Sequence, residues 1–565
     1  MDLIIDGFHI TAKPEQKILE LLDQLGLNSG KFSERPLAAK IAGEVFNLNY
    51  IPVRLKDLSA DRVSVRRAMA ASDGNIQLLR FGDPAGKDVY TRTAWFVLFL
   101  ALHRLWPTAR AKMNCTLGNA LYIEVRIEDF SVEALKHEVE KIVNENIPLM
   151  RKRSMREEAE KRYHNNGRID VSRLLSCRTV EYFDEYTHEN FSDYYYGELA
   201  PSTGYVQVWN ILPAEGGFIF LFPDDNTPDT VAVYEEMPNF LKVSTEGERW
   251  CELMGCETIA DLNELVRNGN IRELIRINEA LHEKQFSQVA DEICSRGAKA
   301  VMLAGPSSSG KTTSANRLAT QLKVHGMKPV LISLDDYYID RDQIQPGPDG
   351  TLDLEHINTI DTNLFRKHIE TLLNGNEIEL PSFNFKTGCR EWSGHKLALS
   401  EKSVLIVEGL HALNPLLLPG KLESDLVFKL YVSPLLPLNL DDHNRIPTTL
   451  LRLLRRTVRD YETRGSSVQN TMRMWDSVRR GEKRWIYPFQ EKADYILNSS
   501  TLYELAVLKK HIYPLLTAIQ PEEDCYEAVR AVVKVLNYVL EADVDDEIPP
   551  TSLVREFIGG NSFYR

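Results

Sequence analysis

Cysteine is scarce in this chain, and so are long hydrophobic runs and any excess of basic residues. Seven cysteines stand among 565 residues, and none forms a C-x-x-C pair, which argues against a disulfide framework or a zinc ribbon. Cys251 and Cys256 form an isolated C-x4-C pair, for which two ordinary thiols are the simplest interpretation. An odd number of scattered cysteines is typical of a reducing compartment.

The longest apolar run, Ala94–Leu102, falls well short of the ~20 residues that a membrane-spanning helix needs. The N-terminal stretch MDLIIDGFHI contains no basic segment of the kind that opens a signal peptide. The sequence therefore predicts a cytoplasmic protein with no membrane partner. Its net charge of −14 means that contact with nucleic acid or another polyanion would require a local basic patch.

A chain of this length is expected to hold several domains, because single cores seldom exceed about 250–300 residues. Residues 1–60 alternate short strand-like runs with one helical run and predict a small α+β domain. Residues 61–222 predict a second α+β domain. Residues 223–298 are predicted to be a linker and a helical lead-in; the linker stretch FPDDNTPDT begins at Phe222. Over residues 299–565 apolar strands alternate with helices, which predicts an α/β fold with a parallel sheet flanked by helices and a helical C-terminal extension.

The stretch GPSSSGKT fits the pattern G-x-x-x-x-G-K-[ST] of a phosphate-binding loop. It follows a predicted strand and opens a predicted helix, as this motif requires. Its glycines let backbone N–H groups point at the phosphates of a bound nucleotide. Lys311 is predicted to reach the β- and γ-phosphates and so to act in catalysis. The predicted ATP-binding residues are Gly305, Pro306, Ser307, Ser308, Ser309, Gly310, Lys311, Thr312 and Thr313.

Two further predicted strands end in carboxylates. Asp335 and Asp336 follow VLISL, and Glu408 ends VLIVE. Because ligands bind at the carboxyl ends of the strands of an open parallel sheet, we expect these acids to converge on the phosphate loop. Asp335, Glu408 and the hydroxyl of Thr312 are oxygen ligands that suit Mg²⁺, and an acid there can accept the proton of an attacking hydroxyl. Solvated acids that cap the strand ends are the alternative.

Ten arginines fall between residues 441 and 484. In an acidic protein such density indicates clamping of a transferring phosphoryl group, for which the arginine fork is suited. The alternative is a helix face on which arginines form salt bridges, and it would account for several of the ten arginines. The ten are Arg445, Arg452, Arg455, Arg456, Arg459, Arg464, Arg473, Arg479, Arg480 and Arg484.

The phosphate loop is followed, in order, by SLDDYY, LDLEHINTID, PSFNF, VEGLHAL, RRTVRDYETRG and PFQEKADYIL. With these motifs the chain resembles the uridine kinase/phosphoribulokinase family from about residue 299 to 500. The resemblance implies an ATP- and Mg²⁺-dependent kinase in which Asp335 is the catalytic base and Glu408 belongs to the magnesium site. It also implies a substrate pocket with Tyr338, Glu355, Phe383 and Phe385, and a mobile lid with Arg456, Arg459 and Arg464.

The chain departs from uridine kinases where the family recognises the base. FNF replaces the family's YDF, and Gly388 stands where a histidine reads the pyrimidine. Glu355 replaces a ribose-binding aspartate, Ser466 replaces the second arginine of RGRD, and Met474 replaces a base-contacting glutamine. The residues for phosphoryl transfer are thus retained, whereas those that read the base differ.

The front of the chain resembles part of threonyl-tRNA synthetases. Residues 1–60 resemble the TGS domain, a β-grasp module, and residues 61–222 resemble the editing domain that follows it, through LWP, TLGNALYIEV, MREEAEKRY and PSTGY. The catalytic histidines and cysteine of an editing site fall on Arg92, Phe96, Tyr195 and Leu199. The sequence therefore predicts a binding or regulatory module that hydrolyses nothing.

The runs RVSVRR and RKRSMR, at residues 62–67 and 151–156, leave contact with RNA open, although a solvated charged face is the simpler interpretation. As a whole, the sequence predicts phosphorylation of a nucleoside 5′-hydroxyl, with ATP and a small hydroxylated substrate as partners. A kinase for another sugar or polyol is one alternative. An RNA- or tRNA-sensing protein that uses ATP as a switch is another, although such a sensor would not need a base like Asp335. The sequence leaves oligomerisation open.

Overall fold

The computed structural model describes residues 2–41, 43–52, 75–178, 180–345, 353, 355–384, 387–417 and 426–563. Within these ranges the helices are α1 (Ile18–Leu25), α2 (Pro84–Leu105), α3 (Val132–Glu145), α4 (Arg156–Asn165), α5 (Ile169–Ser176), α6 (Pro238–Leu253), α7 (Ile259–Arg267), α8 (Ile271–Arg296), α9 (Lys311–Val324), α10 (Thr362–Leu373), α11 (Thr448–Arg464), α12 (Val468–Trp485), α13 (Glu504–Thr517), α14 (Tyr526–Leu536) and α15 (Arg555–Ile558).

The strands are β1 (Asp2–Ile5), β2 (Phe8–Thr11), β3 (Ala38–Ile41), β4 (Glu44–Phe46), β5 (Asn75–Leu79), β6 (Arg110–Leu117), β7 (Ala120–Arg126), β8 (Lys152–Met155), β9 (Tyr182–His188), β10 (Phe191–Asp193), β11 (Asn210–Ala214), β12 (Gly217–Leu221), β13 (Ala300–Ala304), β14 (Lys328–Ser333), β15 (Ile378–Asn384), β16 (Cys389–Leu397), β17 (Ser403–Glu408), β18 (Val427–Ser433), β19 (Asn439–Asp441), β20 (Asn444–Arg445) and β21 (Tyr495–Asn498). Short 3-10 turns join several of these elements.

The first sheet has the order β2–β1–β5–β3–β4. β1 pairs antiparallel with β2 and parallel with β5. Helix α1 covers this sheet because Ile18, Leu21 and Leu22 lie on one helix face and are buried against it. The sheet extends beyond residue 60, since β5 belongs to it. The predicted boundary between residues 60 and 61 lies outside the described residues and stays a prediction.

A four-stranded antiparallel sheet, β11–β12–β7–β6, packs against α2 and α3. The long apolar run of the sequence lies in α2, where Phe96, Leu98 and Leu100 are buried in this core. A second, three-stranded sheet, β10–β9–β8, carries α4 and α5 beside it. The N-terminal half is therefore of mixed α+β type, as the sequence predicts. Among the described helices none is both long and apolar enough to cross a bilayer.

Three helices, α6 to α8, connect the N-terminal half to the C-terminal parallel sheet, which begins with β13. Their sequence predicts a helical lead-in, although the domain limits at 222 and 298 stay predictions. Cys251 and Cys256 are buried in one apolar cluster here. All seven cysteines of the chain are free thiols.

The C-terminal sheet has the order β14–β17–β13–β18–β21, and every neighbouring pair is parallel. Alternate residues of β13 face opposite sides, which is why both sides need a cover. Phe286 of α8 and Leu318 of α9 pack on one face, and Phe365 and Ile369 of α10 pack on the other. The α/β fold with a buried parallel sheet is confirmed.

A short hairpin, β19–β20, leaves this sheet after β18 and contacts the N-terminal half; we call residues 439–445 the docking hairpin. The side-chain amide of Asn439 donates to the carbonyl of Met113 at 2.8 Å, and the Met113 N–H donates to the carbonyl of Asp442 at 2.8 Å. The ring of His443 stacks on Phe99 of α2, with centroids 3.6 Å apart. The hairpin thus extends the contact surface between the two halves of the chain.

Buried charges fix the docking hairpin in place. Asp441 accepts hydrogen bonds from the guanidinium of Arg168, at 3.1 Å, and from the hydroxyl of Tyr194. His443 Nδ1 lies 2.7 Å from a carboxylate oxygen of Asp193. A cavity of about 770 Å³ adjoins the hairpin on the side of His103. Immediately after the hairpin the chain enters α11.

Candidate active site

The phosphate loop, residues 305–310, joins the central strand β13 to α9. Ser308 and Gly310 have positive φ angles of 58° and 89°, which curl the backbone. Gly305 lies against β18, where a Cβ would come within 2.2 Å of the carbonyl oxygen of Val432. Lys311 opens α9, and its Nζ donates back across the loop to the carbonyl of Pro306 at 3.1 Å. This curled backbone at a helix N-terminus is suited to binding an anion.

Two arginines of α11 donate hydrogen bonds to backbone carbonyls of the loop. Arg452 donates to the carbonyl of Ser307 at 3.1 Å, and Arg455 donates to a second loop carbonyl at 3.4 Å. Arg452 also pairs with Glu482 and Arg455 with Glu504, and all four side chains are at most 1% exposed. Removing one member of such a pair would leave a buried charge uncompensated. These contacts match the salt-bridge alternative for Arg452 and Arg455.

The three arginines predicted for a lid lie further along the same helix. Arg456 donates to the hydroxyl of Ser307 at 2.9 Å, so it too contacts the loop. Arg459 and Arg464 act electrostatically on Asp335. The arginines thus surround the candidate phosphate site, and their role as a mobile lid stays a prediction.

Two carboxylates, the partly buried Asp335 and the buried Glu408, meet beside the loop, at the ends of β14 and β17. Glu408 Oε1 accepts hydrogen bonds from the hydroxyls of Ser333, at 3.0 Å, and Thr312, at 3.4 Å. Burial raises the pKa of Asp335, and the cation of Lys311 opposes that rise. Burial and the nearby charge of Asp335 raise the pKa of Glu408. The structure therefore brings the predicted metal and catalytic residues to one edge of the sheet, although their roles remain predictions.

Two aromatic rings and one partly buried acid lie next to these carboxylates. The rings of Tyr338 and Phe383 lie 5.5 Å apart. Burial and the neighbouring Glu482 raise the pKa of Glu355 to about 7. Tyr338, Phe383 and Glu355 are thus candidates for the acceptor pocket, whereas Phe385 lies outside the described residues.

The positions that depart from uridine kinases have their own local contacts. Gly388 has φ of 74°, and a Cβ there would lie 3.1 Å from the Cβ of Arg341. The Arg341 N–H donates to the Gly388 carbonyl at 2.8 Å. A histidine at 388 would therefore be strained as well as crowded. Ser466 accepts a hydrogen bond from Asn470, and Met474 is 37% exposed.

One buried histidine near the site is not singled out by any spacing in the sequence. His411 follows Glu408 in VEGLHAL and is 2% exposed. Burial lowers its pKa to about 4, so the ring is neutral near pH 7. It lies close to the backbone of Glu355 and to the charge of Lys311. The position of His411 inside the motif VEGLHAL is the one feature of the sequence that could have indicated a place near the site.

Comparison with known proteins agrees with this geometry. Residues 300–505 match the model of the Phosphoribulokinase / Uridine kinase family. This part of the chain, called the kinase domain below, is therefore similar to the kinases of that family. A uridine kinase from Staphylococcus haemolyticus is 28% identical over 206 residues, which are 36% of this chain and 89% of that protein. The enzyme class is that of an ATP-dependent small-molecule kinase.

Two other similarities accompany the kinase domain. A threonine–tRNA ligase from Symbiobacterium thermophilum is 30% identical over 211 residues, which span 36% of this chain and 28% of the ligase. That match fits the synthetase-like region in front of the kinase domain. The crystal structure of a putative fructose transport system kinase from Silicibacter sp. TM1040 aligns at 18% identity over 38% of this chain and 98% of that chain, with a TM-score of 0.28.

Side chains fill the four positions that correspond to an editing site. Arg92 Nε donates to the carbonyl of Glu198 at 3.2 Å. Phe96 and Leu199 are fully buried in the core around α2. The hydroxyl of Tyr195 lies 3.2 Å from a carboxylate oxygen of Asp193. The described residues therefore place packed and hydrogen-bonded groups where an editing site would hold its catalytic ones.

The basic run at residues 151–156 is engaged within its own domain. Arg151 pairs with Glu198 at 3.2 Å, and Arg153 pairs with Asp184 at 2.8 Å. These pairs favour a salt-bridged protein face over an RNA-binding one. The run at residues 62–67 lies outside the described residues, and nucleic-acid contact through it stays an open alternative.

Glu355→Gln is expected to raise the melting temperature at alkaline pH and to change it little near pH 4.5. The folded-state pKa of Glu355 is raised from 4.5 to about 7, so the folded protein binds this proton more tightly than the unfolded chain. The stability it contributes is complete below the unfolded pKa and is lost as pH rises through 7. Glutamine stays neutral and avoids that loss.

The measurement is the melting temperature of both proteins, without ligands, from pH 4.5 to 8.5. At the alkaline end we expect the variant to exceed the wild type by about 5 °C, a gain of one or two kcal/mol for a domain of this size. Glu401→Gln, at an exposed position, is the control and should show no such trend. A difference between Glu355→Gln and wild type that does not grow with pH would contradict the assignment.

The full chain is expected to release no amino acid from seryl- or threonyl-tRNA. Phe96 and Leu199 offer no lone pair, and Arg92 stays protonated and is a poor base. Burial raises the pKa of Tyr195 well above its ordinary value, so its hydroxyl cannot serve as a base at neutral pH. The assay is release of free amino acid over a buffer blank. Deacylation that depends on the protein would show that this region is catalytic after all.

Proposed function

We infer that the chain catalyses the Mg²⁺-dependent transfer of the γ-phosphate of ATP to the 5′-hydroxyl of a nucleoside. The observation that carries the proposal is one cluster: Lys311 and Thr312 at the start of α9 lie beside Asp335 and Glu408 at the ends of two neighbouring strands. A loop that binds phosphate alone would need no acid next to it. The acids suit a reaction that moves a proton and needs a cation.

The loop amides would hold the β-phosphate, and Lys311 would neutralise charge on the β- and γ-phosphates. Its present bond to the Pro306 carbonyl, at 3.1 Å, leaves the ammonium at the mouth of the loop. Arg456, Arg459 and Arg464 approach from α11 and would stabilise the transferring group, since guanidinium forks match phosphoryl oxygens. The loop itself is held by Arg452 and Arg455.

Mg²⁺ fits the oxygens of Thr312 and Glu408, with Asp335 next to them. Two neighbouring carboxylates each make ionisation of the other less favourable, and a divalent cation is the simplest compensation. When bound, Mg²⁺ would neutralise charge on the phosphates. The carboxylate of Glu408 already accepts the Thr312 hydroxyl at 3.4 Å, which holds the two candidate ligands together.

Asp335 would accept the proton of the acceptor hydroxyl. A general base works best when its pKa lies near the operating pH, and burial shifts the pKa of Asp335 upward. Lys311, Arg464 and Arg459 favour the ionised form, so the carboxyl is not locked in its neutral state. This balance suits a group that must take up a proton and release it.

The nucleoside assignment is supported by the similarity to uridine kinases and by the aromatic pair Tyr338 and Phe383, which could stack on a base. A sugar or polyol acceptor is the second candidate. The contact of Gly388 with Arg341 favours it, because a histidine at this position, like the one by which uridine kinases read the pyrimidine, would be strained and crowded. An ATP switch without an acceptor leaves Asp335 unexplained.

Lys311→Ala is expected to lower transfer from labelled ATP to the acceptor by about 10²-fold or more, as loss of one transition-state contact does. The lysine is not part of a packed core, so the melting temperature should stay close to that of the wild type. Lys323→Ala, at an exposed site on the same helix, is the matched control and should keep full activity. Wild-type turnover in Lys311→Ala would refute the role of the loop.

Asp335→Asn is expected to reduce kcat by about 10²–10⁴-fold, the contribution typical of a general base. The affinity for ATP should change much less, because asparagine keeps the shape of the side chain. Turnover and calorimetric ATP titration measure the two effects separately, and the exposed Asp342→Asn serves as control. A variant that keeps its rate and loses ATP affinity would make Asp335 a nucleotide ligand instead of a base.

A further inference from the structure

Residues 549–563 pack on the phosphate loop; we call them the C-terminal segment. Leu553 Cδ2 lies 3.3 Å from the position that a Cβ on Gly310 would take. The ring of Phe557 lies 4.8 Å from the guanidinium carbon of Arg455. A segment more than 200 residues away in sequence therefore covers one side of the candidate nucleotide site.

Within this segment the carboxylate of Glu556 caps the first turn of α9. Its Oε2 accepts the backbone N–H of Thr313 at 3.2 Å and the hydroxyl of Thr313 at 2.6 Å. The side-chain amide of Asn561 donates to the same hydroxyl at 3.2 Å. Thr313 is fully buried. The carboxylate of Glu556 thus accepts hydrogen bonds from both the backbone N–H and the hydroxyl of Thr313.

The backbone N–H of Thr313 is a donor of the kind that binds the phosphates of a nucleotide. The first N–H groups of a helix have no partner within the helix, and in a phosphate loop they bind the α- and β-phosphates. A carboxylate also gains from the positive end of the helix dipole. Its negative charge is felt across the site, because burial, Asp335 and, more weakly, Glu556 raise the pKa of Glu408. A phosphate and this carboxylate cannot share the same donors without repulsion.

We propose that Glu556 competes with ATP for the N-terminus of α9, so that the C-terminal segment determines the apparent affinity for the nucleotide. The proposal rests on the proposed binding of ATP at the loop. ATP binds when Glu556 releases Thr313, and the apparent dissociation constant rises by the reciprocal of the fraction of molecules in which it has done so. The segment is an internal substitute for a phosphate.

The anchors of the segment allow such a release. The hydroxyl of Ser552 donates to Glu279 at 2.7 Å, which ties the start of the segment to α8. The guanidinium of Arg555 donates to the carbonyl of Ile548 at 2.9 Å. Neither bond involves Thr313, so Glu556 can release α9 while these two bonds persist. The capping side chain sits on α15, a helix of only four residues.

The test is a calorimetric titration of the full chain with Mg²⁺ and ATP, without acceptor. Glu556→Gln keeps the size of the side chain and removes its charge, and we expect ATP to bind about tenfold more tightly, within the range that one charge-assisted hydrogen bond contributes. The control is Glu547→Gln. Glu547 lies just before the C-terminal segment and pairs with Arg272 and Arg276, so this variant also removes one negative charge. Its affinity should equal that of the wild type.

Equal affinity in all three proteins would overturn the competition and leave the proposed function intact. Absence of ATP binding in all three would overturn both. Binding by Glu556→Gln but not by the wild type would support the competition in its strongest form. Equal melting temperatures of the ligand-free proteins would exclude loss of folding as the cause.

Hydrogen exchange of the wild type gives a second readout that does not depend on a substitution. If Glu556 gives way to the nucleotide, amides of residues 553–561 should exchange faster with saturating ATP than without it. Slower exchange would mean that the segment closes over the nucleotide as part of its pocket. That result, or unchanged exchange, would contradict competition.

Discussion

Two arginines of α11, each paired with a buried carboxylate, tie the phosphate loop to the rest of the molecule. Arg452 with Glu482 and Arg455 with Glu504 place full charges where almost no water reaches, so each partner depends on the other. Both guanidinium groups also donate to carbonyls of the loop. The curled loop backbone, which the chemistry requires, is therefore fixed from beneath before any nucleotide binds.

The same helix connects the kinase domain to the synthetase-like region. α11 begins directly after the docking hairpin, whose Asp441 and His443 are held by Arg168, Tyr194 and Asp193 of the N-terminal half. The front of the chain is thus built into the scaffold of the phosphate loop, not attached to it by a flexible linker. Packed side chains at the positions that correspond to an editing site agree with the predicted binding or regulatory role of this region.

Local patterns could be predicted from the sequence, and long-range contacts could not. GPSSSGKT lies between a strand and a helix, and the acids of SLDD and VLIVE follow strands, because each of these signals is contained in a few consecutive residues. The pairing of Arg455 with Glu504, the docking of His443 on Phe99 and the cap of Glu556 on Thr313 join residues far apart in sequence. No periodicity or spacing in the sequence predicts these three contacts. Burial of His411 is likewise a property of the fold, not of its motif.

The central claim is that the kinase domain phosphorylates a hydroxyl of a small acceptor and that the acceptor is a nucleoside. The most direct measurement offers ATP labelled in its γ-phosphate, with Mg²⁺, together with a panel of nucleosides, sugars and polyols, and locates the label in the product by mass spectrometry. The account predicts label on the 5′-oxygen of at least one nucleoside and none without Mg²⁺. Hydrolysis of ATP with no labelled acceptor in the whole panel would contradict it.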